Sequence, residues 1–328
     1  MGCQEEVLIE KVCNLYYEIS SLESLKPSKN VDMLFTQLVL TCIPPISIDV
    51  TKLPNKIQEI RSKLIRLCGQ AEGFLENHFS AILASYENPL DHLNMFPYYS
   101  NYLKLSNLEF TILNQHYSTV PSQIAFVGSG PLPLTSIVLA SNHFPNTSFH
   151  NYDIDPSANS KAVQLVSSHP DLSKRMFFHT TDIMDVSTEE LKSFDVVFLA
   201  ALVGMDKEEK VRVLDHLAKN MARGAMLLLR SANGARAFLY PVVDPCDLQG
   251  FEVLSVFHPT DEVINSVIIA RKLDYGYNDH QIKPLHDLQQ QGLVSNLILP
   301  TKCSEIEAFN PLNHGNMVEE LTIEEKLS

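Results

Sequence analysis

The chain has 328 residues, and 25 Lys and Arg against 39 Asp and Glu give it a net charge of −14. That length allows two or three domains of roughly 100–200 residues each, and 45% apolar content with 20% charge excludes a disordered chain. No block of Lys and Arg is concentrated enough to neutralise phosphates, so a nucleic-acid partner is disfavoured.

Residues 1–118 read as a helical N-terminal unit. From Glu5 to Leu22, the residues Val7, Leu8, Val12, Leu15, Tyr16 and Ile19 recur at helical spacing. The stretch Ser28–Asp32 offers caps for a helix through Leu40, which Pro44-Pro45 stops. A long helix is expected from Pro54 to Leu83. Asn88-Pro89 breaks it, and helical segments resume from Leu90 to His116, with Pro97 near one start.

From Ser122 short β-rich runs alternate with helices. Strands are expected at Ile124–Val127, Ser148–Tyr152, Met176–His179, Val196–Ala200 and Met226–Leu229. Helices are expected at Leu132–Asn142, Ser157–Val166, Thr188–Lys192 and Lys207–Asn220. This alternation predicts a parallel sheet with helices on both faces. Phe251–Phe257 and Asn265–Ala270 then follow with only a turn between them, which predicts an antiparallel hairpin closing the sheet. The expected fold class is therefore α/β, a Rossmann-like domain of the S-adenosylmethionine methyltransferase type over 119–275. Residues 276–328 lose the pattern and are expected to be a mobile tail without chemistry.

Between Glu109 and Asp153 there is no Asp, Glu, Lys or Arg. A membrane span needs about 20 consecutive apolar residues, and Pro121, Gly128, Gly130, Pro131, Pro133 and Pro145 interrupt this stretch. It is read as buried, and no stable membrane association is expected. The 6 cysteines are scattered without zinc spacing, the 12 histidines are dispersed, and no apolar leader precedes a cleavage site. A reduced, cytoplasmic protein without a bound metal is expected. Gly2 suits myristoylation, but Glu6 stands where that signal wants Ser or Thr, so an unmodified terminus is expected.

The segment Gly128-Ser129-Gly130-Pro131-Leu132 follows the first strand and opens a helix, the setting in which a Gly-x-Gly becomes a nucleotide loop. Glycine lets the backbone turn tightly and approach a ligand closely. A third glycine, expected at Leu132 or Pro133, is missing. Asp153 ends the second strand, where a carboxylate about 20 residues after the loop accepts hydrogen bonds from ribose hydroxyls. Asp182, after the third strand, is placed to meet an adenine amino group. Together these residues predict an adenosyl pocket.

Longer runs are more specific. Gly-Ser-Gly-Pro-Leu-Pro-Leu-Thr from Gly128, Met33–Val39, Gln70-Ala71-Glu72, Phe96–Leu105 and Arg230–Pro241 together resemble the plant nicotianamine synthases over essentially the whole chain. The resemblance implies a transferase that couples three S-adenosylmethionine molecules through their 3-amino-3-carboxypropyl groups. It also implies release of methylthioadenosine, closure of an azetidine ring and a metal-chelating product. S-adenosylmethionine is then the substrate, with no further cofactor expected. The residues alone leave two rivals open: a small-molecule N-methyltransferase, and a non-catalytic S-adenosylmethionine sensor.

An amine that attacks a carbon must be neutral, whereas an α-ammonium with pKa near 8 is mostly protonated at neutral pH, so a positioned base is expected. Ile65, Cys68, Glu72, Glu76, Phe79 and Leu83 share one helical stripe, and a carboxylate in a partly apolar stripe gains proton affinity through desolvation. Glu76 is the expected base. By resemblance it matches the family's catalytic glutamate, and Tyr102 its partnering tyrosine. Arg230, at the end of the fifth strand, and Arg236 are expected to grip substrate carboxylates, because a guanidinium binds a carboxylate through two parallel hydrogen bonds. Tyr240 is a further substrate-binding candidate.

Overall fold

The apolar spacing of the N-terminal third produces the helices it predicts. In the computed structural model, which describes residues 3–273, α1 (Cys3–Ser20) buries Leu8, Val12, Leu15 and Ile19. Helix α2 (Lys29–Cys42) begins at Ser28, whose hydroxyl accepts from the Val31 N–H at 3.4 Å. Helix α3 (Asn55–Leu83) is 29 residues long. The segment after it differs from expectation: Pro89–Met95 is a 3-10 helix. Pro97 disfavours helical backbone at the residue before it, and Phe96 is extended at φ −71° and ψ 123°. Helix α4 (Tyr99–His116) starts only beyond that break.

The remainder is a seven-stranded sheet. Its parallel strands are β1 (Gln123–Val127), β2 (Ser148–Asp153), β3 (Met176–Thr180), β4 (Val196–Leu199) and β5 (Met226–Ser231). Strands β6 (Phe251–Phe257) and β7 (Ser266–Lys272) close it as the expected antiparallel hairpin, in the order β3-β2-β1-β4-β5-β7-β6. The intervening helices are α5 (Leu134–Asn142), α6 (Pro156–Ser167), α7 (Leu172–Arg175), α8 (Thr188–Leu191) and α9 (Lys207–Asn220). Helix α5 starts two residues later than expected, because Leu132 turns into the core at 2% exposure and Pro133 occupies the cap. Four-residue α7 is too short to show a period, which is why it escapes the sequence.

Period-two alternation sends each strand's side chains to opposite faces. Ile124, Phe126, Val196, Phe198, Met226 and Leu228 join α4, α5 and α6 in one core. Ala125, Val127, Val197, Leu199, Leu227 and Leu229 join α9 in the other. Helices α1 and α2 and the first half of α3 form a third cluster, together with Phe238 and Leu239 from beyond β5. The helical N-terminal stretch is thus split: α4 packs on the sheet through Leu105, Leu108, Ile112 and Leu113, each worth roughly 1.5–3 kcal/mol when fully buried.

Register sets the site. Val127 pairs with Tyr152 on one side and Leu199 on the other, so Gly128, Asp153 and Ala200 emerge at one end of the sheet. The chain leaves β1 toward β2, whereas β4 lies on β1's other side, and at such a switch point open α/β sheets leave a crevice. Among the described residues no helix is long and apolar enough to cross a membrane. The expectations for residues 276–328 and for Gly2 lie outside the described residues.

Candidate active site

A cavity of about 2220 Å³ opens between α2, α3, α4 and the carboxyl ends of the strands. Pockets for one drug-sized molecule span roughly 300–1,000 Å³, so this volume accommodates more than one molecule of that size. Of the residues expected to bind the nucleoside, Gly128, Ser129, Gly130, Pro131, Leu132, Asp153 and Asp182 all line it.

Both loop glycines are required by their surroundings. Gly128 has φ +80°, and a Cβ there would lie 2.4 Å from Val203 Cγ2 in the loop after β4. Gly130 has φ +66°, and its Cβ would lie 2.7 Å from Glu76 Oε2. The catalytic-base candidate therefore rests against the nucleotide loop. Ser80 fastens the two together, its hydroxyl 2.7 Å from the Pro131 carbonyl. The third glycine is absent because Leu132 belongs to the apolar core beneath the loop.

Asp153 accepts from the Gly130 N–H at 2.8 Å and from the Asp155 N–H at 3.0 Å, so the loop and the carboxylate hold each other in place. Asp182 caps the 3-10 turn Ile183–Asp185, accepting from the Met184 N–H at 2.9 Å. These bonds fix both carboxylates at the cavity wall.

Glu76 and Tyr102, 26 residues apart in sequence, meet with the Tyr102 hydroxyl 3.2 Å from Glu76 Oε1. Burial, then the neighbouring Glu72 carboxylate, hold the Glu76 carboxyl well above its ordinary range. Burial, Glu76 and Glu72 push the Tyr102 phenol up as well, so Tyr102 keeps its proton and acts as a donor. Tyr240 also lines the cavity, and its hydroxyl donates to Glu72 Oε2 at 2.9 Å. Glu72 stood in the predicted stripe, one turn before Glu76, but nothing in its spacing separated it from a solvated helix face.

Both arginines are already engaged by protein groups. Arg230 lines the cavity, but its bidentate edge is taken: Nε donates to Glu109 Oε1 at 2.7 Å, and Nη2 to Glu109 Oε2 at 3.0 Å. Nη2 also donates to Thr135 at 2.7 Å. Residues 226, 228 and 230 share the sheet face that α4 covers, which brings Glu109 to Arg230. Arg236 does not line the cavity. Its guanidinium donates to the carbonyls of Pro259, at 2.6 Å, and Asp261, and it secures the loop before β7.

Among the described residues no group of three or more His, Cys, Asp or Glu is placed to hold a metal ion.

Comparison with known proteins follows the same line. The family model described as "Nicotianamine synthase protein" matches residues 2–276. A nicotianamine synthase of Solanum lycopersicum is 63% identical over 320 residues, covering 97% of this chain and 98% of that one. Nicotianamine synthase 3 of Arabidopsis thaliana is 62% identical over 332 residues, covering 100% of both. Among solved structures, MtNAS in complex with MTA and tNA superposes with a TM-score of 0.69 at 20% identity, over 84% of this chain and 100% of that one. A mutant of MtNAS in complex with S-adenosylmethionine gives 0.68 at 21% identity, over 81% and 98%. At that identity the structural likeness speaks for the fold.

Proposed function

The chain belongs to the nicotianamine synthase family, transferases that build nicotianamine from S-adenosylmethionine, and we propose that its Glu76–Tyr102 pair takes the proton from each attacking amine. The observation that carries this reading is the 3.2 Å contact between Tyr102 and Glu76, with Glu76 lying on Gly130 of the nucleotide loop. The base then sits beside the point where the loop would hold the sulfonium donor.

In each transfer the amine nitrogen forms a bond to the γ-carbon of a methionine chain while the carbon–sulfur bond breaks. The electron pair leaves with sulfur as neutral methylthioadenosine, and the ammonium proton passes to Glu76. A carboxylate at its ordinary pKa near 4.3 is a poor match for an ammonium near 8, and the burial that raises Glu76 narrows that gap. The Tyr102 hydroxyl orients the accepting oxygen. Two such transfers join three substrate molecules, and a third displacement of the same kind, by a nitrogen on the γ-carbon of its own chain, closes the azetidine ring and releases the third methylthioadenosine. The size of the cavity supports the presence of more than one molecule at a time. The fold relative solved with MTA and tNA supports release of methylthioadenosine from such a cavity.

The loop from Gly128 to Leu132 and the carboxylates of Asp153 and Asp182 serve as the nucleoside site in this reading. Tyr240 contributes through Glu72, and Arg230 contributes positive charge at the wall rather than a bidentate grip. The helical segment before residue 118 is the wall facing the aminocarboxypropyl arms. A cytoplasmic setting belongs to the same reading, supported by the free thiols of Cys13, Cys42, Cys68 and Cys246.

Incubation with S-adenosylmethionine alone tests the reaction. Mass spectrometry is expected to show nicotianamine with three methylthioadenosine per product, whereas S-adenosylhomocysteine as the by-product would indicate methyl transfer and overturn it. Asp153→Ala tests the nucleoside site. Losing hydrogen bonds to a charged acceptor costs about 1.5–3 kcal/mol, so calorimetry is expected to show affinity for S-adenosylmethionine weakened by roughly tenfold to a hundredfold. Unchanged affinity would remove Asp153 from the site.

A further inference from the structure

Glu72 is the one carboxylate of the cavity that touches the Glu76–Tyr102 pair yet has no part in the chemistry described so far. It lies one helical turn before Glu76 on α3, so the two carboxylates share a face. Tyr102 stands between them, its hydroxyl 3.2 Å from Glu76 Oε1 and 3.5 Å from Glu72 Oε1. Tyr240, reaching in from beyond β5, donates to the other oxygen of Glu72 at 2.9 Å. The cation that could neutralise this pair, Arg230, has Nε and Nη2 engaged by the buried Glu109. Glu109 thereby occupies one edge of the guanidinium, and among the described residues no hydrogen bond joins Arg230 to either cavity carboxylate.

We propose that Glu72, pinned by Tyr240, is a positioning residue of the transferase whose retained negative charge, one turn from Glu76 and joined to it by Tyr102, makes Glu76 a strong enough base for an ammonium proton. The inference rests on Glu76 being the base. Two carboxylates this close do not both ionise readily, and the one given more hydrogen-bond donors keeps the charge. Glu72 is that one: it has Tyr240 to itself and a share of Tyr102. Both carboxyls are raised by burial, and Arg230 and Tyr102 pull both back down; Tyr240 pulls down Glu72 alone, while Glu72 and Asp153 lift Glu76 further. The Glu72 charge in turn pushes up the neighbouring Tyr98 phenol and Cys68 thiol, and with Glu76 it pushes up Tyr102. The pair therefore titrates as a unit, with Glu76 as the member that takes the proton.

Changes of the same sign follow from Glu72 and from the donor that pins it. Glu72→Gln removes the like charge, so Glu76 ionises more easily and becomes a weaker base. The acid limb of kcat/KM is expected to move to lower pH by about one unit, and plateau kcat to fall by up to about tenfold, the most that one unit of base strength can cost. Affinity for S-adenosylmethionine by calorimetry is expected to stay within a few-fold. Glu72→Asp keeps the charge and is expected to recover most of the lost rate. Tyr240→Phe removes a donor that favours ionised Glu72, so Glu76 loses part of the like charge beside it and the acid limb is expected to move to lower pH, by less than in Glu72→Gln.

An acid limb that stays in place in both Glu72→Gln and Tyr240→Phe overturns the proposal, as does a Glu72→Asp enzyme no better than Glu72→Gln. Should Glu72→Gln fail to fold, the direction of the Tyr240→Phe shift decides alone. Glu76→Gln, measured in parallel, separates this inference from its premise. If Glu76→Gln turns over normally, the base assignment falls and the inference with it. If Glu76→Gln is inactive while the Glu72 and Tyr240 profiles are unmoved, only the role of Glu72 falls.

Discussion

Replacing Glu76 with Gln is expected to lower kcat by about 10²–10⁴-fold, the range that a positioned general base contributes. Gln retains the length of the side chain and an oxygen that can accept from Tyr102, now 3.2 Å from Glu76 Oε1, so the wall of the cavity keeps its shape. It cannot take a proton. Every amine must lose one before it attacks, so the loss falls on each transfer. Binding of S-adenosylmethionine is expected to persist, because the Gly128–Gly130 loop and Asp153 are fastened to each other by the Gly130 N–H and not by Glu76. Release of methylthioadenosine measures the rate and calorimetry the affinity; a near-normal rate would take Glu76 out of the mechanism. The pH dependence carries a definite sign. Burial and Glu72 raise the Glu76 carboxyl, so wild-type activity is present above that raised pKa and is lost as pH falls through it. In Glu76→Gln this limb is expected to vanish from whatever activity remains.

The second large effect is on stability. Glu109→Gln is expected to destabilise the fold by about 3–5 kcal/mol, because it leaves a buried guanidinium without its anion. Glu109 is 0% exposed and Arg230 7%, so neither charge is well solvated without the other. Both Glu109 oxygens are engaged by Arg230, at 2.7 and 3.0 Å, and Thr135 of α5 is the only further hydrogen-bond partner of Arg230 seen among the described residues. Arg230→Met is expected to cost a similar amount for the converse reason. Combining it with Glu109→Leu is expected to recover most of the loss, since an apolar pair of similar volume leaves no charge stranded. Urea unfolding of the three variants checks this, and a cost below about 1 kcal/mol for Glu109→Gln would show the pair to be dispensable. The pair also ties α4 to β5, so the helical wall and the sheet are expected to unfold together.

The family and the loop were legible because they are local. Gly128 and Gly130 lie in a strand–turn–helix, Asp153 follows at the spacing that parallel pairing of β1 and β2 imposes, and Glu76 sits on a helix whose stripe is visible in the sequence. The arginines' partners were not legible, for the opposite reason. Arg230 at a strand end has the same local sequence whether its fork meets a substrate or Glu109, a residue 121 positions away. Arg236 likewise meets Pro259 and Asp261 only because the loop before β7 folds back onto it. Glu72 could not be told from a surface acid until Tyr240, 168 positions distant, was seen to close on it.

Charge distribution marks the same division. The run without charged residues from Phe110 to Tyr152 already showed an interior, since charged side chains are excluded from a core unless paired. That much is one-dimensional: composition and period are properties of the chain itself. The two acids that bound the run have different fates, which only tertiary packing assigns. Asp153 faces the cavity and holds the Gly128–Gly130 loop, whereas Glu109 is buried and holds Arg230. A carboxylate's role is set by what the fold brings within about 3 Å of it, and those partners come from remote segments that no local pattern links.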